Sequence, residues 1–285
     1  MRYEAPDTIE AAAKLLAAED NAKVLAGGTD LLVQMRSEIV TPSLLVDIKR
    51  ISELRRVTEE AGGFRIGAAV TGAELKEHPK LSKIWPGVIE AANLIGSTQV
   101  QGRATMGGNL CNGSPAADSV PALIAAGAVA TVVGPNGRRE LKVEDVVLGP
   151  RKLALTKGEI IASFLLPKRP PKSADAYLRF IPRTEMDIAV VGCGVNLTLD
   201  GSGTCTAARV ALGAVAARPL LVDDAAKALI GTKLDQGALA KLEAAARAAC
   251  KPIDDKRGTI EFRVDVAGVL ARRTAQIALE RARKS

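Results

Sequence analysis

Two glycine pairs carry the chemistry this sequence can do. Residues 104–123, ATMGGNLCNGSPAADSVPAL, set Gly107 and Gly108 among the short donors and acceptors Thr105, Asn109, Asn112 and Ser114. Adjacent glycines remove two Cβ atoms, so main-chain N–H groups can approach a ligand closely and the backbone can enter left-handed conformations. A run of N–H groups in such a turn forms a concavity suited to phosphate or diphosphate, with no lysine required. Upstream, Val24-Leu25-Ala26-Gly27-Gly28-Thr29-Asp30-Leu31 repeats the device behind an apolar, strand-like lead. One glycine pair by itself reads first as a connecting loop. Two of them can hold one long ligand.

Other devices for binding phosphate or activating a substrate fail on inspection. Gly192-Cys193-Gly194 begins a dinucleotide fingerprint, but Leu197 occupies its last position and the following VNLTL is strand-like rather than helical. Gly201-Ser202-Gly203 reads as a hairpin turn, and no GxxxxGK[ST] occurs. The four cysteines, Cys111, Cys193, Cys205 and Cys250, show no metal-ligand spacing, so any iron–sulfur cluster belongs to a partner. The single histidine, His78 in EHPK, precedes a proline and reads as an exposed turn, which excludes Ser–His–Asp chemistry and a flavin tethered through histidine.

The elements that must position the two pairs follow from pattern and punctuation. A helix entered at Asp7-Thr8, a strand over 23–26, a helical turn over 31–36 and a strand over 44–48 make a first α/β unit, residues 1–60. Residues 61–170 form a larger α+β unit: a strand over 64–70, helices near 73–76 and 88–95, the long glycine loop, a helix over 119–126 begun by Asp118, and three β-rich runs. The segment Pro167-Lys-Arg-Pro-Pro-Lys-Ser173 is a charged, proline-rich linker to residues 171–285. There, strands over 177–181, 188–199 and 209–215 precede helices over 225–230, 236–250 and 266–283, an antiparallel sheet covered by helices. The 285 residues suit two or three subdomains. With 39 basic against 32 acidic residues the chain suits acidic partners or faces, but one Trp, two Tyr and four Phe are too few for nucleic-acid binding by stacking. Lacking a basic leader or a long apolar span, it is expected to be soluble and cytoplasmic.

The AGGTDLL loop, the segment from Gln99-Val100 to Asp118, the Glu159-Ile160-Ile161 strand ending at Pro167, RTEMDIAV from Arg183 to Val190, and the stretch from Pro252 to Arg273 together resemble the FAD-binding (medium) subunit of the molybdenum hydroxylases, the group of xanthine dehydrogenase and of aerobic carbon monoxide dehydrogenase. The resemblance spans essentially the whole chain. It implies a two-subdomain FAD-binding domain of the vanillyl-alcohol-oxidase (PCMH) type, residues 1–60 and 61–170, followed by an α+β C-terminal domain. It implies noncovalent FAD in this chain, molybdopterin in a large partner subunit and two [2Fe–2S] clusters in a small one. Electrons would pass through this chain to NAD⁺, oxygen or a quinone, in a heterohexamer of two three-subunit units. No general acid or base is needed here.

Site residues follow from the same resemblance. Lys23 through Leu31 (Lys23, Val24, Leu25, Ala26, Gly27, Gly28, Thr29, Asp30, Leu31) match the first diphosphate loop, Leu31 where the family sets an aliphatic side chain against the isoalloxazine. Thr105, Gly107, Gly108, Asn109 and Asp118 match positions holding the diphosphate, ribityl or adenosine parts; Gly96 and Ser97 match a turn near the cofactor, Ile161 a strand beside the adenine, and Arg179 a basic position near the flavin ring. Asp118 reads equally as the N-cap of its helix, Lys23 as an exposed strand cation, Arg179 as a surface arginine, and Asp187 as a structural cap or pair. The chain reads AGGTD and TMGG where the carbon monoxide subgroup reads AGGHS and TIGG, which points toward hydroxylases of purines, aldehydes and N-heteroaromatics. Two other readings are a self-sufficient flavin oxidoreductase of the vanillyl-alcohol-oxidase or UDP-N-acetylenolpyruvylglucosamine-reductase kind, which would need its own acid–base constellation, and a scaffold without cofactor, which the intact glycines oppose.

Overall fold

In the computed structural model, which describes residues 1–285, the strand Ile160–Pro167 is the backbone of the middle of the chain. It runs between Gly63–Gly67 and Val129–Gly134, antiparallel to both, in a five-stranded sheet completed by Val57–Glu60 and Gly137–Lys142 at the edges. Its sequence, IIASFLLP, is apolar almost throughout because it serves two cores. The register slips between Ile161 and Ser163, and such a bulge shifts the alternation of side chains between the two faces of the sheet. Ile161, Phe164 and Leu166 therefore join the largest apolar cluster, while Ile160 and Ala162 join Ile9, Ala12, Ala13 and Leu16 of the helix Ile9–Ala18. That helix begins where Thr8 accepts the Ala11 N–H.

The first residues form a three-stranded parallel sheet, Arg2–Glu4, Leu44–Asp47 and Ala22–Leu25, with Leu44–Asp47 in the centre and wholly buried. The Arg2–Glu4 strand is absent from the sequence reading, as is Val57–Glu60; both are edge strands, with the exposed, charged composition that hides such strands.

The last sheet, Ser173–Phe180, Val191–Leu199, Cys205–Gly213 and Leu220–Leu221, is antiparallel. The helices Gln236–Ala249 and Ile260–Lys284 bury their apolar positions in this sheet's own core. On the other side the sheet meets Ser119–Ala126, a helix buried at every residue. Gly194 and Gly213 make that approach possible: a Cβ on either would stand 2.7 Å from an atom of Pro121. A buried carboxylate fastens the same sheet to the helix Pro86–Ala92. Asp175 accepts the Val88 N–H at 2.9 Å and pairs at 2.8 Å with Arg169, whose guanidinium lies 3.8 Å from the Trp85 ring centroid. The final helix starts at Ile260, six residues before the sequence reading has it, because Thr259 caps it by accepting from Phe262 N–H. No helix is long and apolar enough to cross a membrane.

Candidate functional site: a cleft between two glycine segments

The first glycine pair follows the strand Ala22–Leu25 and precedes the short helix Leu31–Arg36. Lys49 secures its base, donating to Ala26 O at 3.2 Å and to Asp47 at 2.8 Å. Gly28 is left-handed, φ 78°. Gly27 lies against the second segment: a Cβ there would stand 2.0 Å from Arg103 O, so only glycine lets the two backbones meet.

The second pair is not the loop that its glycines suggest. Gly107 and Gly108 sit in the helix Met106–Cys111, whose cap is Thr105, accepting the Gly108 N–H at 2.9 Å. Gly107 is needed because a Cβ would come 2.5 Å from Ala68 O. At Gly108 a Cβ would meet only Thr105 Oγ1, at 3.1 Å. Side chains tie the two segments together: Gln34 donates to Asn112 Oδ1 at 2.9 Å, and Asn112 donates to Asp30 at 3.4 Å. Burial raises the Asp30 carboxyl above its ordinary pKa.

Between them lies a cleft of about 570 Å³. Of the expected site residues, Lys23, Val24, Ala26, Gly27, Gly28, Thr29, Asp30, Leu31, Thr105, Gly107, Gly108, Asn109 and Ile161 line it. The remainder of the wall includes Cys111 and Asn112 of the second glycine segment and residues with no motif of their own, among them Gln34, Arg151, Leu153 and Leu155. Part of the wall is apolar, built from Leu16, Ile48, Leu153, Leu155, Ile160 and Ile161. Ion pairs brace the adjoining turn. Arg139 grips Glu159 through two hydrogen bonds of 2.7 and 2.8 Å and also donates to Ala154 O at 2.9 Å, holding the Glu159 carboxyl down at about 2. Lys157 pairs with Asp20 across the rim.

Five expected residues stand off the cleft wall. Leu25 is buried beneath Gly28, and Gly96 (φ 67°) and the buried Ser97 form a turn against Val100 and Met186. Asp118 and Arg179 are paired with one another at 2.8 Å, with side chains 10% and 5% exposed, and Tyr177 donates to the same carboxylate at 3.2 Å. Desolvation pushes Asp118 up to about 6 against the pull of Arg179. Asp118 makes no capping bond either; Asn109 Oδ1 does that work, accepting from Ser119 N and Oγ at 3.0 and 2.8 Å. Arg179 is therefore not a surface arginine. His78 occupies the expected turn, its Nδ1 accepting from Lys80 and Leu81 N–H, and it does not line the cleft. Asp187 is structural in its contacts, pairing with Arg257 at 3.1 Å and Arg183 at 3.3 Å.

Residues 1–169 match the model of the FAD binding domain in molybdopterin dehydrogenase, and residues 176–278 match the CO dehydrogenase flavoprotein C-terminal domain. The chain belongs to the FAD-binding medium subunits of the molybdenum hydroxylases. Its relatives include the carbon monoxide dehydrogenase medium chain of Afipia carboxidovorans, 35% identical over 99% of this chain and 97% of that one. The xanthine dehydrogenase FAD-binding subunit of Escherichia coli O157:H7 is 31% identical, over 95% and 93%. Among solved structures, Cu,Mo-CO dehydrogenase superposes with a TM-score of 0.95 at 34% identity, over 99% of this chain and 98% of that one. Quinoline 2-oxidoreductase from Pseudomonas putida 86 gives 0.90 at 28%, with the same coverage. The medium-subunit architecture, an FAD-binding domain followed by a C-terminal domain with a small antiparallel sheet, is thus that of an oxidoreductase subunit. Relatives from the carbon monoxide subgroup align in spite of the AGGTD and TMGG departures.

The cleft of this medium subunit fits the FAD that its domain binds in chemical character. None of the backbone N–H groups of Gly27, Gly28, Thr29 and Asp30 donates to an acceptor within the protein. Unpaired, on residues that are half-buried at Gly27–Thr29 and exposed at Asp30, these N–H groups are free to donate to a ligand in the cleft. A diphosphate is such a ligand, and the apolar wall suits planar rings.

Proposed function

We propose that the chain holds FAD noncovalently in this cleft, as the electron-transfer subunit between the [2Fe–2S] clusters of a small partner subunit and NAD⁺, oxygen or a quinone. A large molybdenum–pterin subunit would oxidise the substrate. The observation that carries the reading is the row of four unpaired N–H groups at Gly27–Asp30, on the wall of one cleft that the second glycine segment also lines. When bound, FAD supplies redox chemistry able to connect one-electron carriers to a two-electron acceptor.

The chain's own residues then bind, orient and exclude. Gly27–Asp30 donate main-chain hydrogen bonds to the diphosphate, and Gly108, bare toward the cleft, leaves room for it. Thr105 holds the helix Met106–Cys111 in place behind the diphosphate. Leu31 packs on the flavin side, and Ile161 on the adenine side. Asn112 and Gln34 fix the gap between the two segments. Asp118 and Arg179 act one layer back, positioning the wall from the buried side.

The deciding measurement is the visible spectrum of the purified chain after FAD is added and unbound cofactor is removed by desalting, followed by anaerobic addition of NADH. Retained yellow absorbance that NADH bleaches supports the site and NAD⁺ as acceptor; retention without bleaching turns the acceptor to oxygen or a quinone. Colourless protein from both the single chain and the co-expressed complex would sink the assignment.

A further inference from the structure

The cleft has three lining cations, Lys23, Arg151 and Lys157. Lys157 is already paired with Asp20, whereas neither Lys23 nor Arg151 has a carboxylate partner. Arg151 differs from Lys23 in its backbone. It lies at the tip of the tight hairpin joining Val147–Gly149 to Lys152–Leu153, with Pro150 before it, and its φ is 58°. A two-residue turn with proline first and positive φ second ordinarily takes glycine or asparagine at the second place, since a Cβ there is strained. Here the chain carries an arginine.

The neighbouring segment keeps it there. Arg151 N–H donates to Gly113 O at 2.9 Å, and Gly113 is itself left-handed, φ 63°, so close that a Cβ on it would stand 2.9 Å from Arg151 Cα. Gly113 directly follows Asn112, which is tied to Asp30 and Gln34 of the first glycine segment. An exposed arginine is thus held in a costly backbone state, on the wall of the cleft, with no acid beside it. Strained residues that the surrounding structure holds in place gather at ligand sites.

We propose that Arg151 is a cofactor-binding cation of this chain, its guanidinium pairing with the diphosphate of FAD. The inference rests on the FAD reading of the cleft. The diphosphate is the only formally charged part of oxidised FAD, and a planar guanidinium donates two parallel hydrogen bonds to phosphate oxygens. The main-chain donors of Gly27–Asp30 would give the site its shape, and Arg151 its charge.

The test uses the full chain freed of cofactor, titrated at low and high salt with FAD, with ADP, which carries the diphosphate without the flavin, and with riboflavin, which carries the flavin without the diphosphate. Arg151→Ala should weaken FAD and ADP by about tenfold or more, the size of a lost charge-assisted hydrogen bond. Riboflavin should be unaffected, and the salt dependence of FAD binding should flatten. Arg151→Gly relieves the turn, so it should melt no lower than wild type yet bind as weakly as the alanine variant, which separates charge from strain. Unchanged FAD and ADP affinity in both variants overturns the proposal, as does a loss shared with riboflavin, or a salt dependence removed by Lys23→Ala and untouched by Arg151→Ala. Failure to bind any of the three ligands by the wild-type chain, both alone and in the co-expressed complex, overturns the FAD reading itself.

Discussion

The cleft wall and the cluster of Asp118, Arg179 and Tyr177 both contain positions that the resemblance marks for the cofactor, Asp118 and Arg179 in the second case, yet they have opposite physical states. Along the cleft, donors at Gly27–Asp30 have no partner within the protein. In the cluster, every charge is answered: Asp118 accepts from Arg179 and Tyr177, and all three side chains are buried. A group already paired inside the fold has little to give a ligand unless that pair breaks, and breaking a buried pair is expensive. The difference separates a surface that waits for a molecule from a support that shapes it.

The largest effect that could break this comparison comes from filling the cleft. A leucine at Gly108 meets no backbone at its Cβ, only Thr105 Oγ1, so Gly108→Leu should fold normally and lose FAD below detection by absorbance after desalting. Gly27→Val is the contrasting variant. Its Cβ would overlap Arg103 O, and it should lower the melting temperature as well as abolish binding. Full flavin retention in Gly108→Leu would mean that the cofactor does not pass this face.

Next in size is the removal of Asp118. Asp118→Ala leaves the Arg179 guanidinium buried and unpaired, a loss expected at about 3–5 kcal/mol in denaturant unfolding. A variant with wild-type stability and no affinity for FAD would reverse the assignment, making Asp118 a direct ligand and not a support.

Asp118 also predicts a pH dependence of definite sign. Its folded pKa is raised from 3.8 to about 6, first by desolvation. Between those values the folded chain retains a proton that the unfolded chain releases, so stability contributed by the protonated carboxyl is present at low pH and is lost as pH rises toward about 6. Denaturant midpoints should fall over that interval in wild type, relative to Asp118→Asn, in which the position cannot titrate. A difference that stays flat from pH 4 to 6 would show Arg179 holding the carboxylate ionised throughout.

How far the sequence foretold this molecule depends on whether a signal was local. The GGTD turn, the helix Leu31–Arg36 and the helix Ser119–Ala126 were legible because strand lead, glycine and apolar run lie next to one another along the chain. The second glycine pair was legible as a site and misread as a loop. Thr105 with Gly108 three residues on is a cap, and the glycines obscured it. Asp118 reads in the sequence as a cofactor position or a helix cap, and capping is a local habit; its partners in the fold, Tyr177 and Arg179, lie far along the chain, where no short-range pattern reaches. Arg151 left no trace either, since its left-handed turn takes a residue that turn statistics disfavour. The family resemblance was legible over the whole chain because it draws on several segments at once.

The smallest expected effect probes the wall from within. Cys111 ends the helix Met106–Cys111 and lines the cleft, exposed along it. Alkylation is carried by the thiolate, so the reaction of Cys111 with iodoacetamide should accelerate as pH rises. Cys193, by contrast, is buried in the C-terminal sheet, and burial pushes its thiol up to about 12. Peptide mapping after brief alkylation at elevated pH should therefore find Cys111 modified before Cys193, and FAD should slow modification at Cys111 severalfold with no effect at Cys193. Equal protection at both would indicate that FAD tightens the whole fold rather than covering this wall. No protection at Cys111 would place the ligand elsewhere, and the contrast between an open cleft and a closed cluster would lose its meaning for cofactor binding.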